Sequence, residues 1–209
     1  MCICKVPEEV SKYVTAVCRG LTKAGIAPSA KHFPGHSNMH VNPHESLPII
    51  SKDATSLAQN DLIPFQAACD PGTATIMVGH MALPAITGST VPASLSPAVI
   101  GGLLRESLGY DGIAVTDCLE MGAVAAREGG VPLAAVDALR TGADIAMICH
   151  HIDRQRGALE ATYGVTVARP LGLKPGIFTR CQYVSVSALF LVHASCPASF
   201  PILVYINTS

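Results

Sequence analysis

Apolar residues recur along this chain in two alternating periods. Val10, Tyr13, Val14, Val17 and Leu21 fall on one stripe at helical spacing, which predicts a helix over residues 7–24. Pro7 suits its first position, Glu8 and Glu9 suit the positive end of its dipole, and Gly25 follows as a stop. A short strand is predicted from Ile26 to His32. A polar stretch rich in Gly, Pro, His and Asn runs from Phe33 to about Ser51, and residues 52–69 read as a helix that Pro64 bends or splits. The apolar run from Ala74 to Val78 predicts a second strand. Ser96 and Pro97 supply a cap and a first helical residue for a helix reaching Leu108. Gly112 to Thr116 is the third predicted strand, Pro132 to Thr141 a helix stopped by Gly142, and Ile145 to Cys149 the fourth strand.

These strands are short and apolar at every position, as strands buried on both faces of a parallel sheet are. The expected class is therefore α/β, and alternation alone leaves a TIM barrel and a doubly wound sheet both open. A nucleotide-binding version of the doubly wound sheet needs a phosphate-cradling glycine loop, and no GxGxxG follows any strand. Each predicted strand ends on chemically capable side chains: Lys31 and His32, His80, Asp117, and His150. Barrel enzymes gather catalytic groups at the C-terminal ends of several strands. Asp117 has two readings at this point, as a cap for the turn at Leu119 to Gly122 or as a group facing a pocket.

Composition narrows the class further. With 209 residues, 49% of them apolar, and a net charge of -1, the chain can bury a sizeable core and offers no basic face for nucleic acid. The eight cysteines form no CxxC and no zinc-type pair of pairs, so reduced core thiols are expected, with Cys18, Cys69 and Cys149 inside apolar periodic stretches. His36, His40 and His44 are spaced by four, but Pro34, Gly35 and Pro43 oppose the helix that would align them, and no metal is expected. MCICKVPEEV carries no secretory signal, so the expected compartment is the cytoplasm.

Four ordered segments carry a resemblance. Ala30-Lys31-His32-Phe33-Pro34-Gly35-His36 resembles the KHFPGH segment of glycoside hydrolase family 3, and Thr116-Asp117-Cys118-Leu119-Glu120-Met121 resembles that family's nucleophile motif. Between them, Pro92-Ala93-Ser94-Leu95-Ser96-Pro97 and Leu108-Gly109-Tyr110-Asp111-Gly112 are similar to the family pattern in order and spacing. Within the family the β-N-acetylglucosaminidases are most similar. The resemblance implies a (β/α)8 barrel, of which residues 1–164 would form the C-terminal half, about four strand-helix units.

It also implies roles. Asp117 would be the nucleophile, attacking the anomeric carbon to give a glycosyl-enzyme intermediate that water releases with net retention. His44 would be the general acid/base, a task its ordinary pKa of about 6.5 suits. Lys31 and His32 would hold sugar hydroxyls, and His80, at the next strand end, is expected to bind substrate beside them. Such a reaction on an N-acetylhexosaminide needs no cofactor. Phosphorolysis is the related alternative, because a neutral histidine repels phosphate less than a carboxylate would.

The chain departs from the family pattern in three places. Where the family reads Gly-Asp-Thr and then Asp-Ser-His, this chain has Ser37-Asn38-Met39 and Asn42-Pro43-His44. Asn42 therefore stands where an aspartate would orient the histidine, and an amide holds a tautomer without stabilising its charge. The second departure is length: roughly four strand-helix units precede the KHFPGH strand in the family, and one helix precedes it here. A half barrel is expected to leave two open strand edges, an invitation to self-association. Third, the pattern fades after Tyr163, and residues 165–209 form an apolar tail with Arg169, Lys174 and Arg180 as its charges. Pro197 and Pro201 interrupt its β-prone run, and it falls short of the about 20 apolar residues a membrane helix needs. These departures make a catalytically inactive remnant the alternative to an active glycosidase.

Overall fold

The computed structural model describes residues 6–36, 46–70 and 72–163, and the backbone of two strands beyond them. Residues 37–45, and with them His44, Asn42 and His40, lie outside the described residues.

Four parallel strands form the centre: β1 (Ala27–Phe33), β2 (Thr75–Val78), β3 (Ile113–Cys118) and β4 (Ile145–Ile148). Each predicted strand is present, with its ends moved by one or two residues. Helix α1 (Pro7–Lys23) precedes β1, with Pro7 in its first turn and Gly25 just beyond it at φ 78°. Between β1 and β2 the predicted split occurs: α2 (Ala54–Gln59) stops before α3 (Ile63–Cys69), where Pro64 sits in the first turn and leaves no helical hydrogen bond unmade. Asp53 caps α2 by accepting the Ser56 amide at 2.7 Å.

A short α4 (Pro84–Thr87) and a 3₁₀ turn (Ala93–Leu95) lead into a helix over Ala98–Ser107. That helix is wound with π geometry, and its cap position falls on Pro97, one residue after the expected Ser96. Its centre is Gly101-Gly102, where no Cβ enforces the tighter α winding. After β3 come α5 (Gly122–Ala125) and α6 (Gly130–Arg140), and β4 is followed by α7 (Ile152–Thr162). No helix among the described residues is long and apolar enough to cross a membrane.

Side-chain alternation explains why the strands read as continuously apolar. Ile76, Val78, Ala114, Ala146 and Ile148 join the main core beneath α1, α3 and α6. Their neighbours Met77, Ile113, Val115, Ile145 and Met147 form a second cluster with Cys118 and Met121 on the other face. Both faces are thus dry, the condition of a barrel wall, although the sheet is not closed into a barrel.

The expected open edges are paired. β6 (Leu203–Asn207) lies parallel beside β1, with Ala27 opposite Leu203, and β5 (Leu189–Val192) lies antiparallel beside β4, with Ile145 opposite Val192. The tail residues 189–192 and 203–207 therefore extend the sheet to six strands, in the order β5-β4-β3-β2-β1-β6.

The N-terminal ends of the strands are tied by polar groups. Arg105 pairs with Asp144 at 2.6 Å, and its other terminal nitrogen donates to the carbonyls of Tyr110 (2.9 Å) and Gly112 (2.5 Å). Asp144, just before β4, also accepts the Ala114 amide of β3 at 2.8 Å. The Tyr110 hydroxyl is buried within 3.2 Å of the Thr73 carbonyl and 3.3 Å of the Ile113 carbonyl, spanning the feet of β2 and β3. Tyr110 of the Leu108–Gly112 segment is thus a structural residue, while Asp111 is exposed in its turn.

Candidate active site

The opposite, C-terminal ends of the strands bring Asp117, His32 and Lys31 together, while His44 and Asn42 lie outside the described residues. Asp117 leaves β3 with its side chain 18% exposed, and its Oδ2 stands 3.4 Å from His32 Nε2 at the end of β1. Oδ1 accepts the amide of Cys118 at 2.7 Å. The capping alternative for Asp117 is not realised: α5 starts after Met121 and has no side-chain cap. Thr116 anchors the strand beneath by accepting the Met147 amide at 3.0 Å.

His32 lies between two cis peptides, Lys31–His32 and Phe33–Pro34. Its ring stacks on His36 with centroids 4.6 Å apart and planes 7° from parallel. Burial pushes His32 down to about 4, opposed by Asp117 and assisted by His36, Lys31 and His80. Burial likewise lowers His36. At neutral pH the His32 ring is therefore uncharged, and with the proton on Nε2 it faces Asp117 as a donor. Its buried Nδ1 has no hydrogen-bond partner. Lys31 is half-buried beside both rings.

This environment has a stability consequence. A histidine whose folded pKa lies below its unfolded value binds fewer protons in the native state, so its contribution is complete above about 6.5 and is lost as pH falls toward 4. Between pH 7 and pH 4 the chain should lose roughly 3 kcal/mol of stability through His32. Urea midpoints at the two pH values for the wild type and His32→Gln measure it. An equal acid loss in the variant would place the effect in other groups.

His80 differs from its expected role. Its ring is buried (1% exposed), with Nδ1 2.7 Å from Ser94 Oγ and Nε2 2.9 Å from the Cys118 carbonyl. A carbonyl only accepts, so Nε2 carries the proton and Nδ1 accepts from the Ser94 hydroxyl. A ring engaged at both nitrogens behind the wall steadies the chain after Asp117, and has no open face for a sugar. Ser94 is one of two buried serines of the Pro92–Pro97 segment, and its bond to His80 gives that segment a structural purpose. Gly79 permits the close approach of Met81 and His32: a Cβ there would stand 2.7 Å from Met81 Cε and 3.0 Å from His32 Cβ.

Glu120 is the residue that sequence reasoning passed over. Its Oε2 accepts the amides of Cys149 (2.9 Å) and His150 (2.6 Å), and its Oε1 accepts that of His151 (3.0 Å), the residue preceding α7. Burial alone would raise the Glu120 carboxyl, but the three amides outweigh it and the net shift is downward. The only sequence signal for this is an acidic residue three positions after Asp117. Beside it, Cys118 Sγ lies 3.7 Å from Glu120 Oε2. The Cys149 thiol hydrogen-bonds to Cys118, which lowers Cys118 to about 7 and raises Cys149. Both thiols are free, as are Cys18 and Cys69.

Comparison with known proteins follows the same segments. Residues 4–163 match the family described as glycosyl hydrolase family 3 N terminal domain. A beta-hexosaminidase of Stenotrophomonas maltophilia (strain K279a) is 34% identical over 144 residues, covering 69% of this chain and 42% of the relative. Among solved structures, a glycoside hydrolase family 3 beta-N-acetylglucosaminidase from Paenibacillus sp. str. FPU-7 superposes with a TM-score of 0.68 at 42% identity, over 70% of this chain and 28% of that one. Native NagZ from Neisseria gonorrhoeae superposes with a TM-score of 0.67 at 30% identity, over 79% and 46%. The chain thus spans less than half the length of these relatives.

Proposed function

Because this chain belongs to glycosyl hydrolase family 3, we propose that it carries the nucleophile half of a retaining β-N-acetylhexosaminidase site. The observation that supports this most is Asp117: a partly exposed carboxylate at the C-terminal end of a strand, held by the Cys118 amide and faced by an uncharged His32. Its Oδ2 attacks the anomeric carbon as the glycosidic C–O bond breaks, and His44 gives its proton to the departing oxygen. Water then loses a proton to His44, attacks the same carbon and frees the carboxylate. His32 positions Asp117, and Lys31 holds a sugar hydroxyl.

Asn42 sets the expected rate. Removing the aspartate that orients the histidine of a serine-protease triad costs about 10⁴ in rate, and the direction carries over here. Asn42→Asp should raise turnover in an active preparation, and an unchanged rate would show that Asn42 does not limit His44.

The test is release of chromophore from an N-acetyl-β-glucosaminide by the purified chain, beside Asp117→Ala. A second reading, an inactive remnant, is favoured by Asn42 standing where the aspartate beside the histidine would be. Soluble, folded protein with no turnover would select it.

A further inference from the structure

The last residue of β3, the turn after it and the segment after β4 place three metal-ligating side chains together, beside the His32–Asp117 pair. One ligand atom each from Cys118, Glu120 and His150 lies within 4.8 Å of the others. We infer that Cys118 Sγ, a Glu120 carboxylate oxygen and a His150 ring nitrogen form a binding site for a zinc-like divalent cation that clamps the end of β3 to the end of β4.

Distances favour this over chance crowding. Tetrahedral zinc, with bonds of about 2.0–2.3 Å, keeps its ligand atoms about 3.3–3.8 Å apart. Cys118 Sγ donates a hydrogen bond to Glu120 Oε2 at 3.7 Å, so a cation that displaces the thiol proton meets both atoms at that spacing. The remaining separations lie within 4.8 Å and close with a rotation of the exposed His150 side chain.

Glu120 is a prepared ligand. Three amides fix its carboxylate and favour the ionised form, as partners outside the ligand set do in metal sites. The same amides belong to the segment that carries His150, so Glu120 sets the position of the third ligand as well. Cys149, hydrogen-bonded to Cys118, supplies a donor to the Cys118 sulfur from outside the ligand set. Arg154, 4.0 Å from Glu120 Oε1, is a neighbouring cation the site must tolerate, and its side chain is 46% exposed and able to withdraw.

Chemistry selects the ion. Thiolate with imidazole and one carboxylate suits zinc, whereas magnesium and calcium require oxygen ligands. The spacing gave no hint, because two ligands come from one strand end and the third from the next, across 30 residues of sequence. Cation binding by these three groups does not depend on glycosidase activity.

Cobalt(II) titration of the full, reduced chain tests it. A sulfur-to-cobalt charge-transfer band should saturate at one equivalent, be displaced by zinc and persist in excess magnesium. Cys118→Ser should remove the band, and His150→Ala should weaken binding at least about tenfold. Urea midpoints show that both variants are folded. A folded wild type with no stoichiometric band overturns the site, as does an undiminished band in either variant, which would place the metal on other cysteines.

Discussion

Asp144→Ala is expected to destabilise the chain by about 3–5 kcal/mol, the cost of removing one partner from a buried ion pair. Asp144 and Arg105 meet at 2.6 Å with side chains only 7% and 13% exposed, so little water is available to replace the lost carboxylate. The same oxygen accepts the Ala114 amide, which is left buried and unpaired in the variant. A domain of this size has about 5–15 kcal/mol in all, so the variant should be near its unfolding midpoint in dilute urea. Urea titration at constant slope reads the loss directly. A change below about 1 kcal/mol would mean that the pair behaves as a surface ion pair and does not tie the feet of the strands.

Asp117→Ala should lower glycosidase turnover by at least about 10⁴-fold while leaving the urea midpoint within about 1 kcal/mol. Activity falls because no neighbouring group replaces the carboxylate: His32 is uncharged there, and Glu120 is committed to three amides. Stability holds because the side chain is partly exposed and makes one short hydrogen bond, to the adjacent Cys118 amide. Turnover in the variant within tenfold of wild type would remove Asp117 from the nucleophile role. Tenfold or greater loss of stability-corrected solubility would instead assign it to the fold.

Much of the scaffold was legible because it is local. Pro64 announced the break between α2 and α3, and the all-apolar strands announced a sheet covered on both faces. The strand ends pointed to Asp117 and His32, which the structure brings within 3.4 Å. What stayed hidden depends on pairings distant in sequence. Asp111 and Asp144 look alike, each a single acidic residue just before an apolar strand, yet Asp111 is exposed and Asp144 is buried against Arg105, 39 residues away. Nothing local distinguishes them. His80 reads as a strand-end histidine like His32, and only its contacts with Ser94 and the Cys118 carbonyl turn it inward. The π winding over Ala98–Ser107 carries no periodic signature that a residue-by-residue reading detects. The β character of the tail was visible, but which strand each piece would meet was not.

Those two flanking strands give the chain a polarity of assembly. A barrel grows only by adding strands of the same sense, and β5 runs opposite to β4. The seam at which the next unit would be grafted is therefore occupied by a strand of the wrong sense, while β6 fills the other seam beside β1. Mixing this chain with a separately made first half would not rebuild a complete barrel by simple docking, since the chain's own tail must first be evicted from both seams.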